Sequence, residues 1–245
     1  MASQGIDRVT VFAKVSVGIL TTGDELVPAG TLRHAHEIYD SNGPMLATWA
    51  EGLGAQVASI LQTRDDKAAI RAAVETLLEQ CDIVIVAAGA SVGDRDFVRP
   101  VIDSMGGHHV LSGVGMKPGK PLCVTSVHNK PVVCLPGNPG AALIASTLLV
   151  SPLIRHTQGR SEALPKVFQY PLHVKHDAIA DRDLFIRVQC RFQADGHPEL
   201  FPLAQQSPGA LSSTALSSGL ARLARGRNFV DLDKAPYYGW EHWLV

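Results

Sequence analysis

Short runs of consecutive apolar residues alternate with stretches of helical period through the first two-thirds of the chain. Residues 15–20 read as a buried strand ending in a Thr-Thr-Gly turn, and 56–61 and 83–88 as further strands. The last is apolar throughout, as a strand covered on both faces must be. Between them, 41–53 and 66–80 carry apolar residues at helical spacing. Ser41 or Asn42 is placed to cap the first helix, and Asp65 or Asp66 the second. Two more strands, 122–127 and 131–135, flank the hairpin-like turn His128-Asn129-Lys130, and 138–154 forms a long apolar helix. This alternation predicts an α/β fold with a doubly wound, mostly parallel sheet. Ligands in that architecture bind outside the carboxyl ends of strands, where the strand order reverses.

Beyond Gly159 the helical period fades. Residues 185–192 and 200–203 look like short strands joined through Asp195-Gly196, with one short helical stretch inside 211–223 and a final strand at 241–245. The organisation expected is an N-terminal extension (1–14), an α/β domain (15–159) and a small, mainly β, barrel-like domain (160–245).

Composition narrows the partners. Of 245 residues, 46% are hydrophobic and 18% charged, enough for a packed core and against disorder. A formal net charge of -1 gives no general attraction to nucleic acid or to an anionic membrane, so neither is an expected partner. No apolar run approaches the ~20 residues of a membrane span, and the first residues lack a signal peptide's pattern. A soluble, cytoplasmic protein is expected. The cysteines, Cys81, Cys123, Cys134 and Cys190, form no C-x-x-C pair and read as reduced core thiols.

The unusual residues gather in loops after strands. Thr22-Gly23-Asp24-Glu25-Leu26 follows the first strand, then Tyr39-Asp40-Ser41-Asn42-Gly43; Arg64-Asp65-Asp66 follows the second; Ser91-Val92-Gly93-Asp94-Arg95-Asp96 follows the third. Clustered carboxylates repel one another unless a cation sits among them, and an all-oxygen set suits Mg²⁺. Helix capping is the competing use for Asp65, Asp66 and Asp94. Two other loops are rich in donors. Lys117-Pro118-Gly119-Lys120-Pro121 sets two lysines on a stiff turn suited to an oxyanion, and Pro136-Gly137-Asn138-Pro139 runs into a helix whose free N–H groups favour an anion. Acidic loops at one end of a cleft and donor-rich loops at the other suit a phosphorylated ligand handled with a metal or oxyanion.

These motifs, in this order and approximate spacing, resemble those of MoeA and the gephyrin E domain. The likeness is close from 15 to about 159. Beyond that it is looser, carried by Phe185-Ile186-Arg187 and by Gln206-Ser207-Pro208-Gly209 with the helix after it. The resemblance implies molybdenum cofactor biosynthesis: insertion of molybdate into adenylylated molybdopterin, with Mg²⁺-dependent release of AMP. Carried over by motif, Glu25, Asp65 and Asp96 would hold the metal and position molybdate, with Asp94 a fourth catalytic carboxylate. Lys117 and Lys120 would meet the pterin phosphate or molybdate. Gly23, Asp40, Ser41, Asn42, Ser91, Gly93, Pro136, Gly137, Asn138 and Pro139 would cradle pterin and nucleotide, and Arg187 would reach in from the β domain. A homodimer is implied, with other cofactor-biosynthesis proteins as partners. Two departures stand out: Ala88 where the family has glycine, and Gly140-Ala141 where it often has Val-Ser. The family's two N-terminal domains have no counterpart in the sequence. The alternative reading is therefore a stand-alone molybdopterin-binding or carrier protein without insertase activity.

Overall fold

The computed structural model describes residues 1–87, 97–178 and 181–243. Its first part contains β1 (Ser16–Thr22), the short β2 (Leu26–Val27) and β3 (Ile38–Tyr39), α1 (Asn42–Gly52), β4 (Gln56–Thr63), α2 (Lys67–Gln80) and β5 (Ile83–Ala87). Then come α3 (Val98–Ser104), β6 (His108–Ser112), β7 (Met116–Lys117), β8 (Cys123–Val127) and β9 (Lys130–Leu135). The helical stretch after β9 is α4 (Pro139–Ala145), a π turn (Ser146–Val150) and α5 (Ser151–Thr157). The predicted long helix is thus one path with a widened turn in its middle.

Six strands form the main sheet in the order β4-β1-β5-β9-β8-β6. The first four run parallel, and β8 and β6 alternate antiparallel beyond them. Strand faces follow the period of two. Val17, Ile19, Ile83, Ile85, Val133 and Leu135 pack under α1, α4 and α5, whereas Leu20, Val84, Val86, Val132 and Cys134 pack under α2 and α3. Helices on both faces explain the unbroken apolar runs. Gly18 lets α2 sit close: a Cβ there would lie 2.9 Å from both Cys81 Sγ and Leu77 Cδ2. The β8–β9 turn is a tight hairpin, with His128 and Asn129 both at positive φ (50° and 61°), the backbone that matches the strands' twist.

The second sheet contains β10 (Phe168–Leu172), β11 (Asp183–Phe192), β12 (Pro198–Pro202), β13 (Gly219–Leu223) and β14 (Asp233–Gly239), with α6 (Leu211–Leu216) and α7 (Trp240–Trp243) beside it. Its order is β12-β10-β14-β13-β11-β7, and β12 also pairs with β11, which closes the first five into a barrel. Leu172, Val188, Leu200, Ala221, Phe229 and Tyr237 fill it.

One expectation for this region is corrected. No strand is seen at 241–243. Trp240 and Trp243 lie three apart on the short α7, where Trp243 is buried and Trp240 Nε1 donates to Ser217 Oγ at 3.0 Å. The closing strand is instead β14, hidden in the sequence by Pro236 and its charged first residues. The short helical stretch expected inside 211–223 is α6, and β13 follows it. Finally, β7 lies within the α/β stretch of sequence but pairs with β11 of the barrel.

Candidate functional site

The chain leaves β1, builds α1 and β4 on one side, then crosses back through α2 to β5 on the other side of β1. Strand order therefore reverses between β1 and β5, and the crevice for a ligand opens beyond their carboxyl ends. Register aligns the other loops on the same edge: Thr22 lies opposite Thr63, Thr21 opposite Ala87, Ala87 opposite Leu135 and Cys134 opposite Cys123. The loops at 23–25, 64–66 and 136–138, and the 117–122 segment entering β8, thus share one end of the sheet.

Hydrogen bonds tie these loops together. Thr22 Oγ1 donates to Asp65 Oδ1 at 2.7 Å, and the Asp65 N–H lies 3.3 Å from Asp24 Oδ1. Thr21 Oγ1 donates to Asp40 Oδ2 at 2.8 Å, and Asp40 Oδ1 accepts from the Gly43 N–H at 3.0 Å. Ser41 holds the N-cap position of α1, as expected, but makes no side-chain cap bond; Asp40 beside it supplies the carboxylate that accepts from the first turn. Asn42 is buried and donates through Nδ2 to the Gly137 carbonyl at 2.8 Å, joining α1 to the 136–139 loop. Thr21, Thr22 and Asp24 belong to the turn and loop that the sequence marked, but were given no role of their own there. Their signal was a polar Thr-Thr pair ending an otherwise apolar strand.

The carboxylates divide by use. Asp66 is a helix cap, accepting from the Ala69 N–H at 2.8 Å. Asp65 is half-buried, Glu25 is exposed, and Gly23 is buried so tightly that a Cβ would meet Glu25 Oε1 at 3.0 Å. Ser91, Gly93, Asp94 and Asp96 lie outside the described residues, so the predicted set is only partly in view. Among the described residues no group of three or more His, Cys, Asp or Glu is placed to hold a metal.

The donor-rich loops also divide. Lys117 and Lys120 are exposed. Asp181 is held below the usual carboxylate range mainly by its hydrogen bond from Arg182, with Lys120 adding a smaller attraction. At α4, Pro136 is buried, Asn138 occupies the cap position without a side-chain bond, and Pro139 has no N–H. The Ala141 N–H is taken by the Pro208 carbonyl at 3.1 Å. Gly140 makes that approach possible, because a Cβ there would lie 2.7 Å from the same oxygen.

Arg187 is 1% exposed, and burial lowers its pKa. Its guanidinium donates to the Ser207 carbonyl at 3.0 Å and reaches Ala210 O and Thr214 Oγ1 at 3.3 and 3.4 Å. Its backbone N–H meets Gln206 Oε1 at 2.9 Å. The residue fastens the 206–210 loop against α4. A groove of about 950 Å³ runs along α1 from Asp40 and Ser41, over Met45, Trp49 and Leu143.

Comparison with known proteins follows the same outline. The profile of a family described as a probable molybdopterin binding domain matches residues 18–156. A molybdopterin molybdenumtransferase of Haemophilus influenzae is 35% identical over 162 residues, which is 66% of this chain and 40% of that protein. Its counterpart in Nostoc sp. is 30% identical over 239 residues, 96% of this chain and 55% of that one. Among solved structures, a MoeA molybdopterin biosynthesis protein from Pyrococcus horikoshii superposes with a TM-score of 0.77 at 27% identity, over 94% of this chain and 55% of the other. The chain spans about half the length of the relatives it matches. No helix among the described residues is long and apolar enough to cross a membrane.

Proposed function

The chain belongs to the molybdopterin-binding domain family, among its MoeA-like members, and on that premise we propose that it binds molybdopterin and acts in molybdate insertion. The observation that carries this reading is the convergence of acidic and donor-rich loops on the strand-order reversal, inside the matched residues 18–156. The 15–159 segment is the pterin-binding unit in this reading, and the barrel braces it through the 206–210 loop.

The substrate we assign is adenylylated molybdopterin, with molybdate as the incoming oxyanion and AMP as the leaving product. Lys117 and Lys120 supply point charges for phosphate or molybdate. Asn42 keeps the 136–139 loop shaped for the ligand through its bond to Gly137. The oxygen-only donors Glu25 and Asp65, on adjoining loops, fit a hard cation such as Mg²⁺ in chemical type, and Asp96 would complete the set. When bound, the cation would supply charge neutralisation to the departing phosphate. Thr22 orients Asp65 for that role through its bond to Oδ1. A homodimer, and contact with other cofactor-biosynthesis proteins, belong to the same proposal.

The test is AMP release from adenylylated molybdopterin in the presence of molybdate and Mg²⁺. Wild-type chain should release AMP, and Asp65→Ala should lower the rate by about 10²-fold, within the range for losing one electrostatic group in a catalytic site. Full activity in Asp65→Ala would remove that residue from the metal site. Pterin binding without AMP release would favour the carrier reading.

A further inference from the structure

On the barrel, beside β7 and Pro118, lies a second, more enclosed cavity of about 340 Å³. Its walls are mostly apolar, from Val174, Leu184, Phe185, Ile186, Pro202 and Leu223. Three polar side chains interrupt them. Gln206 is already committed, with Oε1 accepting from Arg187 and Nε2 donating to the Arg187 and Leu203 carbonyls. Lys117 and His176 have capacity to spare.

Lys117 is delivered by the strand that changes sheets. In the parallel β7–β11 pair it lies opposite Leu184, so the two side chains leave one face of the sheet. His176 also lines the cavity, its backbone fixed by paired bonds with Phe229 at 3.0 and 2.9 Å. Its ring Nδ1 lies 2.6 Å from the Asp177 carbonyl oxygen. A carbonyl only accepts, so Nδ1 carries the proton, and Nε2 of the neutral ring is left as an acceptor. Among the described residues, neither that nitrogen nor the Lys117 ammonium has a hydrogen-bond or ion-pair partner.

We propose that this cavity receives the ring of the pterin ligand, with a ring N–H donating to His176 Nε2 and an acidic substituent meeting Lys117. The inference rests on the molybdopterin reading above and extends its site from the α/β loops, through Lys117, onto the barrel, where it adds a recognition residue, His176. Chemistry selects the occupant. The volume lies at the lower end of the ~300–1,000 Å³ range of small-molecule pockets, which are commonly apolar with a few placed polar groups. A sugar-like ligand would lose its water against six apolar side chains without replacement bonds. A purely apolar ligand would leave the acceptor and the cation unused. A flat heteroaromatic ring with one N–H edge and one acidic group satisfies walls and polar groups together.

The test titrates the whole chain with pterin-6-carboxylate, read by the pterin's own fluorescence, and in parallel measures retention of adenylylated molybdopterin. His176→Ala should weaken pterin-6-carboxylate binding about tenfold at an unchanged melting temperature, the worth of one hydrogen bond. His176→Gln, which restores an acceptor, should recover most of it. Val174→Phe, which fills the cavity, should abolish binding; if that variant melts early, the two His176 variants decide. Wild-type affinity in His176→Ala would overturn the proposal. So would a wild-type chain that retains adenylylated molybdopterin yet ignores pterin-6-carboxylate, a result that leaves the proposed function standing. Retention of neither ligand would remove both.

Discussion

Thr22 donates to Asp65 at 2.7 Å while the Ala69 N–H donates to Asp66 at 2.8 Å, so two adjacent carboxylates serve different ends. Asp66 satisfies an otherwise free donor in the first turn of α2. Asp66→Ala should cost about 1 kcal/mol and lower the melting midpoint by roughly 2–4 °C, with AMP release unchanged in the same preparation. The sequence offered both aspartates for both roles, because the spacing of a cap and that of a strand-end ligand differ by a single residue. Side-chain direction separates them. Arg187 teaches the same lesson: the Phe-x-Arg pattern places it on β11, but its commitment to Ser207, Ala210 and Thr214 depends on a loop about 20 residues away. Asp40 shows the reverse, a residue marked for ligand binding whose carboxylate also caps α1.

Among the elements, those with unbroken periodicity were the legible ones: β1, β4, β5, the β8–β9 hairpin and α2 all lie near their predicted positions. The short ones were not. A two-residue strand such as β7 carries no period, and β14 begins with Asp233 and Lys234 and contains Pro236, all poor strand signals. Sheet closure decides such elements, since β14 is held by β10 on one side and β13 on the other. The join of α4 to the barrel gives a test at this scale. Gly140→Ala gains up to about 1 kcal/mol of helix propensity but sets a Cβ 2.7 Å from the Pro208 carbonyl oxygen. Overpacking of this kind costs about 1–3 kcal/mol. The variant should therefore unfold at lower urea concentration than wild type; equal or greater stability would mean that the 206–210 loop yields freely.

For the whole molecule, the doubly wound, mostly parallel sheet and a crevice at some reversal of strand order followed from the alternation of strands and helices; the strand order itself came only from the structure. The way the barrel shares β7 with the sequence of the α/β part did not follow either, because pairing between distant segments leaves no local trace. The barrel core predicts an alkaline limit to stability. Burial raises the Tyr237 hydroxyl from 10.0 to about 12, although its bond to the Ser218 carbonyl is placed at 2.9 Å. A raised folded-state pKa means that its contribution is complete below pH 10 and is lost as pH climbs toward 12. Stability measured by urea unfolding should fall across that interval, and Tyr237→Phe should flatten the fall; an unchanged slope in the variant would assign the pH dependence elsewhere. The central claim, that this chain holds molybdopterin at the reversal of its parallel sheet, is tested most directly by calorimetric titration of the purified chain with adenylylated molybdopterin, with and without Mg²⁺. Binding should be saturable near one ligand per chain and should tighten when Mg²⁺ is present. A folded chain that takes up no ligand under either condition would contradict it.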